Sequence, residues 1–119
     1  MKHHTKNFIG FEHHRVHCII GDLPEERLHE QDIFIDLRVQ FDFSDIQDEL
    51  KNTIDYVSLA HLCTGIALKK QFQMVESLAC AITEDIMKDE RIESVNIKIK
   101  KPEGLPSAHF TIIEREVIR

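Results

Sequence analysis

The chain has 119 residues, a length that fits a single domain built around one hydrophobic core. Its hydrophobic fraction of 42% and charged fraction of 30% are those of an ordinary globular protein, which excludes a disordered chain. The formal net charge of −6 argues against a nucleic-acid partner, because proteins that bind phosphate backbones are usually basic.

The distribution of apolar residues and cysteines narrows the class of protein further. No apolar run approaches the roughly 20 residues that a membrane-spanning helix needs, so we expect no membrane partner. Residues 1–7 are polar and lack the apolar segment of a secretory signal, which favours a cytoplasmic location. The chain has an odd number of cysteines, and they are widely spaced, at Cys18, Cys63 and Cys80. This pattern indicates reduced, mostly buried thiols rather than disulfides or a thiolate zinc site.

Two strands are predicted in the first half of the chain. The first covers about residues 8–20, and a polar connection over 21–30 follows it. From Ile33 to Phe43, six apolar residues then alternate with mostly polar ones. A helix would spread those six side chains around its whole circumference, so we predict a long, half-buried strand. Residues 44–54 are polar and predict a loop with a short helical turn.

From Tyr56 the apolar spacing becomes helical and predicts a first helix that ends near Lys70, with Asp55 as its N-cap. The remaining predicted elements are a second helix, a strand, a loop and a last strand, over residues 75–88, 95–100, 101–107 and 109–117.

The order β-β-α-α-β-β predicts an α+β fold in a single domain over residues 1–119. One antiparallel four-stranded sheet would carry both helices on one face. The other face would still hold apolar residues such as Phe34 and Phe110, and the sheet would have two free edges. Because exposed edges are normally covered, we expect the chain to oligomerise by edge pairing.

Four short segments resemble the dihydroneopterin aldolase family, in its order and with its separations. They lie at residues 21–26 with 30–31, at 54–56, at 74–79, and at 100–102 with Pro106. The resemblance covers about residues 8–115. It implies the tunnelling fold, in which four-stranded sheets join into an oligomeric barrel, commonly an octamer with active sites between subunits. It also implies retro-aldol cleavage of dihydroneopterin to 6-hydroxymethyl-dihydropterin and glycolaldehyde in folate biosynthesis.

Such a cleavage needs a base, an electron sink and an acid. Many aldolases use a lysine Schiff base or a zinc ion as the sink. The eight histidines of this chain show no metal-binding spacing. A dihydropterin carries its own ring imine, which accepts electrons once it is protonated. We therefore expect a reaction with no cofactor and no metal.

The resemblance assigns catalytic roles to Lys101, Tyr56 and Glu26. Lys101 would assist proton transfer at the ring imine and help to deprotonate the substrate hydroxyl. Tyr56 would handle the proton at the product carbon in a neighbouring subunit's site, and Glu26 would contact the reacting side chain. The adjacent Lys100 and Glu25 remain alternatives for the lysine and the glutamate.

Substrate binding is assigned by the same resemblance to Glu76, Val75 and Ile54. Glu76 would lie in the first turn of the second helix, where the helix dipole favours an ionised carboxylate. Such a carboxylate accepts the two adjacent N–H donors of the pterin's amino-pyrimidinone edge. From the residues alone, a glutamate that merely stabilises its helix is the commoner reading. Ile54 would line the pterin pocket.

Two other functions remain open. Residues 30–33 resemble dihydroneopterin triphosphate epimerase at least as closely, whereas residues 101–102 with Pro106 resemble the aldolase. A triphosphate would need several cations near the pocket, and none can be assigned. A non-catalytic pterin- or purine-binding oligomer would keep Glu76 but need not keep Lys101 and Tyr56. The family's frequent Gly-Tyr-His-Gly-like segment is replaced here by Cys-Ile-Ile-Gly at residues 18–21.

Overall fold

The computed structural model describes residues 3–119, which form one antiparallel sheet and two helices. The four strands lie side by side in chain order: β1 (Phe8–Cys18), β2 (Gln31–Gln40), β3 (Ser94–Lys101) and β4 (Thr111–Ile118). The helices α1 (Tyr56–Lys69) and α2 (Val75–Ile86) connect β2 to β3. The predicted β-β-α-α-β-β order and the α+β fold are confirmed.

The core lies between the sheet and the two helices. Every second residue of β2 from Ile33 to Val39 is at most 3% exposed, as strict alternation on a half-buried strand requires. Leu78, Ile82 and Ile86 recur on one face of α2 and are also buried. Both helices therefore cover the same face of the sheet.

The ends of the long second strand differ from the prediction. Alternation predicts a strand over residues 33–43, whereas β2 covers Gln31–Gln40. Phe41 keeps its buried position, but Phe43 is 38% exposed. The side chain of Asp42 accepts hydrogen bonds from the Ser44 backbone N–H and hydroxyl at 2.8 Å and 2.6 Å, so the chain turns there.

The two other predicted strand ends also move inward. β1 ends at Cys18 rather than near Ile20, and β4 begins at Thr111 rather than at His109. The short helical turn predicted within residues 44–54 is the 3-10 turn Leu50–Asn52. A second 3-10 turn, Pro24–Arg27, is not among the predicted elements, because the polar residues of the segment 21–30 indicate only a connection.

The face of the sheet without helices carries an aromatic cluster with an ion pair beside it. His13 lies in a β-bulge of β1 with φ of 59° and stacks on Phe34 at 3.9 Å between ring centroids. Phe110 packs edge-on against both rings. The Lys100 amine lies 2.9 Å from Asp36. Phe34 and Phe110 thus lie on the face where the alternation places them.

The cysteines behave as the sequence predicts. Cys18 and Cys63 are buried, Cys80 is half-buried, and all three are free thiols. Burial raises the pKa of Cys63 to about 12, and burial together with the nearby Glu30 and Asp32 carboxylates raises that of Cys18 to about 11. Over residues 3–119, no helix combines the length and the apolar character that crossing a membrane would require.

Candidate active site

Glu26 is presented by the 3-10 turn Pro24–Arg27 just before β2. The Glu26 carboxylate accepts a hydrogen bond from the Leu23 backbone N–H at 3.2 Å, and the backbone N–H of Glu26 donates to the Leu23 carbonyl at 2.9 Å. Gly21, at the start of this connection, has φ of 127°, a region that favours glycine. A Cβ at residue 21 would overlap the Glu26 carboxyl group. The lack of a side chain at Gly21 therefore leaves room for the Glu26 carboxylate.

Lys101, the last residue of β3, donates a hydrogen bond to the Glu26 carboxylate. The side-chain amide of Gln31 donates to the same carboxylate oxygen at 3.0 Å. Burial alone would raise the pKa of Glu26, but the hydrogen bonds from Lys101, Gln31 and the Leu23 backbone together hold it below its ordinary value. The side chains of Lys101 and Glu26 are 12% and 19% exposed, so the structure contains a nearly buried ammonium–carboxylate pair.

The two adjacent alternatives point elsewhere. The Lys100 amine lies on the helix-free face, 2.9 Å from Asp36 and 3.1 Å from the His13 ring nitrogen. Glu25 is exposed. The geometry thus brings Lys101 and Glu26 together, while the roles of both residues stay predictions.

Gln31, the first residue of β2, also contacts Glu26, although no motif assigns it a role. It is 8% exposed, and its amide nitrogen donates to the Ile20 carbonyl at 2.8 Å. Its amide oxygen is buried and has no hydrogen-bond partner among residues 3–119. Buried polar atoms of this kind usually have a partner, which can be a bound ligand or water. A polar residue two positions before Ile33, on the buried side of the alternation, is the signal that would have found it.

The start of α2 lies close to this pair through the connection that precedes it. The Gly21 N–H donates to the Phe72 carbonyl at 3.1 Å, so this connection packs against the turn that carries Glu26. Val75 begins α2 three residues after Phe72, and Glu76 lies in its first turn. Val75 is half-buried and packs against the core, whereas Glu76 is exposed. The predicted position of Glu76 is confirmed, and its role stays a prediction.

Ile54 and Tyr56 lie at the other end of the molecule. Tyr56 begins α1, whose 14 residues span about 20 Å, and it is the far end of this helix that leads to Phe72. The predicted cap is confirmed, since the Asp55 carboxylate accepts the Val57 N–H at 2.9 Å. Ile54 is 4% exposed and Tyr56 is 54% exposed. The length of α1 thus separates Tyr56 from the connection that packs against the turn carrying Glu26.

Two further features of the surface bear on ligands. Over residues 3–119, no three histidine, cysteine or acidic side chains lie close enough together to hold a metal ion. A groove of about 470 Å³ runs across the helix-free face, lined among others by Phe8, Asp36 and Lys98. It includes neither Glu26 nor Lys101, because those side chains lie on the other side of the sheet.

Comparison with known proteins bears on the family and the fold of the chain. Residues 9–117 match the model of the FolB family, described as dihydroneopterin aldolase. A dihydroneopterin aldolase of Methylorubrum extorquens is 31% identical over 102 residues, which cover 83% of this chain and 78% of that protein. A Vibrio cholerae crystal structure described as dihydroneopterin aldolase (FolB) superposes with a TM-score of 0.87 at 25% identity, covering 97% of this chain and 98% of that one.

A second solved structure shows the same fold with a ligand. It is the dihydroneopterin aldolase of E. coli in complex with neopterin, which superposes with a TM-score of 0.86 at 22% identity and covers 96% of this chain and 99% of that one. The family match over nearly the whole chain decides the assignment. The chain therefore belongs to the dihydroneopterin aldolase family.

Proposed function

We propose that this protein cleaves dihydroneopterin to 6-hydroxymethyl-dihydropterin and glycolaldehyde, a retro-aldol step of folate biosynthesis, without a cofactor. The observation that carries the proposal is the Lys101–Glu26 pair beside the start of α2, in a chain of the dihydroneopterin aldolase family. The pair places a proton donor and a negative charge in a nearly dry setting, which is what acid–base chemistry on a hydroxyl and an imine needs.

Glu76 anchors the substrate ring in this proposal. Its carboxylate, exposed at the first turn of α2, accepts the two neighbouring N–H groups of the amino-pyrimidinone edge. The helix dipole stabilises its negative charge at that position. Val75 supplies apolar contact next to it. The E. coli relative in complex with neopterin supports a pterin as the ligand class.

Lys101 then moves the protons. It delivers one proton to the ring imine nitrogen. Once it is neutral, it takes the proton of the hydroxyl group on the second carbon of the substrate's side chain. The bond between the first and second side-chain carbons breaks, its electrons enter the protonated ring, and glycolaldehyde leaves. Glu26 holds the lysine and the substrate side chain in place. The carbon that stays on the ring then takes up a proton, which Tyr56 handles, and the ring nitrogen releases the proton that it received, so that the imine is restored.

Tyr56 and Ile54 reach the site from a neighbouring subunit. The support is geometric: about 20 Å of α1 separates Tyr56 from the end of the molecule that carries Lys101. The edges of the sheet, β1 and β4, are where copies of the chain would pair. We propose a homo-oligomer, an octamer as in the family. A cytoplasmic location is also proposed, supported by the free thiols of Cys18, Cys63 and Cys80.

The other two functions are not favoured. A triphosphate epimerase would need free cations near the site, yet the guanidinium of Arg27, close to Glu26, already donates to three backbone carbonyls. A module that only binds a pterin has no need of the Lys101–Glu26 pair.

Incubation of the pure protein with dihydroneopterin tests the proposal. We expect glycolaldehyde and the hydroxymethyl pterin in equal amounts, and about 10²- to 10⁴-fold slower formation of both from a Lys101→Ala variant. If the protein instead only epimerised dihydroneopterin triphosphate, it would be the triphosphate epimerase. Tight pterin binding with no product from any of these substrates would show a binding module instead.

A further inference from the structure

Arg27 joins two parts of the candidate site that are distant in sequence. Its Nη1 donates to the backbone carbonyls of Gly21 and Phe72, both at 3.1 Å, and its Nη2 donates to the backbone carbonyl of Gln71 at 2.9 Å. We propose that Arg27 is a positioning residue, which sets the separation between Glu26 and the start of α2. This inference rests on the proposed function, because Glu26 and Glu76 must act on opposite ends of one substrate.

The chemistry of the contact is specific to arginine. A guanidinium is planar and presents its donors in a fixed fork, so three carbonyls around it are held in one geometry. The Phe72 carbonyl also accepts the Gly21 N–H at 3.1 Å, so both of its lone pairs are used. A lysine would keep the charge but lose the fork.

The contact matters because of what each segment carries. Arg27 follows Glu26 in the 3-10 turn, and Phe72 precedes Val75 and Glu76 at the start of α2. Gln31 and Lys101 donate hydrogen bonds to the Glu26 carboxylate, but in the described structure neither side chain forms a hydrogen bond to the connection before α2. Among residues 3–119, every side-chain hydrogen bond between the turn and that connection comes from Arg27.

A ligand that spans both segments should respond to the loss of Arg27, and a ligand that touches only one should not. Neopterin offers a ring edge for Glu76 and a hydroxylated side chain for Glu26. Guanine offers the same amino-pyrimidinone edge without that side chain. The difference between these two ligands separates a positioning role from a general loosening of the fold.

Arg119 provides a matched control. Its guanidinium donates to three backbone carbonyls as well: Ile92 at 2.9 Å, Met87 at 2.7 Å and Asp89 at 3.1 Å. These carbonyls lie at and beyond the last turn of α2, a helix length away from Glu76. Arg119→Ala therefore removes the same kind of contact from the end of α2 opposite Glu76.

The experiment compares Arg27→Ala, Arg27→Lys and Arg119→Ala with the wild type, using the full chain in its native oligomeric state. For Arg27→Ala we expect the Kd of neopterin to rise about tenfold and kcat for dihydroneopterin to fall about 10- to 100-fold, since small displacements in a site have effects of this size. The Kd of guanine should stay within about twofold of the wild type. Arg27→Lys should behave like Arg27→Ala, and Arg119→Ala should lower Tm without changing either Kd.

Three results would overturn the inference. One is an unchanged neopterin Kd and kcat in Arg27→Ala, and another is an equal loss of affinity for neopterin and guanine. The third is full recovery in Arg27→Lys, which would show that charge rather than the fork matters. A wild-type protein that does not cleave dihydroneopterin would overturn the proposed function itself, whereas a failure confined to the variants leaves that function standing.

Discussion

The amine of Lys101 donates to the carboxylate of Glu26, a residue 75 positions earlier in the chain. The preceding Lys100 forms a pair of the same kind with Asp36, on the opposite face of the sheet. Successive residues of a strand point to opposite faces, so the two lysines have similar partners in different surroundings. The side chains of Lys101 and Lys100 are 12% and 15% exposed, which makes one a matched control for the other.

Replacing Lys101 by alanine should abolish turnover while pterin binding largely survives. A positioned acid or base contributes typically about 10²- to 10⁴-fold to a rate, and we expect kcat to fall by that order. Lys100→Ala removes an equally buried amine from the helix-free face and should keep kcat near that of the wild type. Steady-state kinetics with dihydroneopterin and direct binding of neopterin measure both effects. Full activity in Lys101→Ala, or a greater loss in Lys100→Ala, would contradict the assigned role.

Replacing Glu76 by alanine should weaken binding itself. Each hydrogen bond to a charged group contributes about 1.5–3 kcal/mol, so the loss of even one of the two should raise the Kd of neopterin about 10- to 150-fold. Glu84 is an exposed glutamate on the same helix and serves as the control, because Glu84→Ala changes the charge without touching the first turn. Calorimetric titration gives both constants. Equal affinities in the two variants would show that Glu76 only stabilises its helix.

Glu26 should give the protein a pH-dependent stability. Although burial opposes it, hydrogen bonding to Lys101 and Gln31 makes the pKa of Glu26 lower in the folded chain than in the unfolded chain. The resulting stabilisation is fully present above the ordinary glutamate pKa of about 4.3 and is lost as the pH falls through the folded value. Glu26→Gln lacks it, so the free energies of unfolding of variant and wild type should converge in acid. A difference that stays constant from pH 7 to pH 3, measured with urea, would contradict this.

The local patterns of the sequence predict the elements because each depends on nearby residues. Alternation from Ile33 onward identifies β2, but it continues to Phe43 although the strand ends at Gln40. What ends the strand is the bond between Asp42 and Ser44, a turn signal that competes with the alternation. Side-chain pairs across the fold depend on register, which no local pattern supplies. The position of Lys101 against Glu26 could be expected only through the family resemblance.

Arg27 and Gln31 show what sequence reasoning misses. Arg27 reads as one more charged residue in a polar connection, and only the folded chain shows it bonded to carbonyls 44 and 45 positions away. Gln31 lies on the buried side of β2, two residues before Ile33, and its polar side chain at that position is the one local signal of a role. The alternation cannot show that its partner is Glu26. Tyr56 is the reverse case. Its place at a helix start is local and was predictable, whereas its proposed partner lies on another copy of the chain.

Gly21 and Glu26 should be coupled in a double-mutant cycle. Gly21→Ala introduces strain at φ of 127° and also places a methyl group where the Glu26 carboxyl lies. In a Glu26→Ala background only the backbone strain remains, so Gly21→Ala should destabilise the Glu26→Ala variant less than it destabilises the wild type. Contacting residues typically couple by about 0.5–3 kcal/mol, which urea unfolding of all four proteins resolves. Additive losses within about 0.5 kcal/mol would mean that the carboxylate moves aside freely, and Gly21 would then serve the backbone alone.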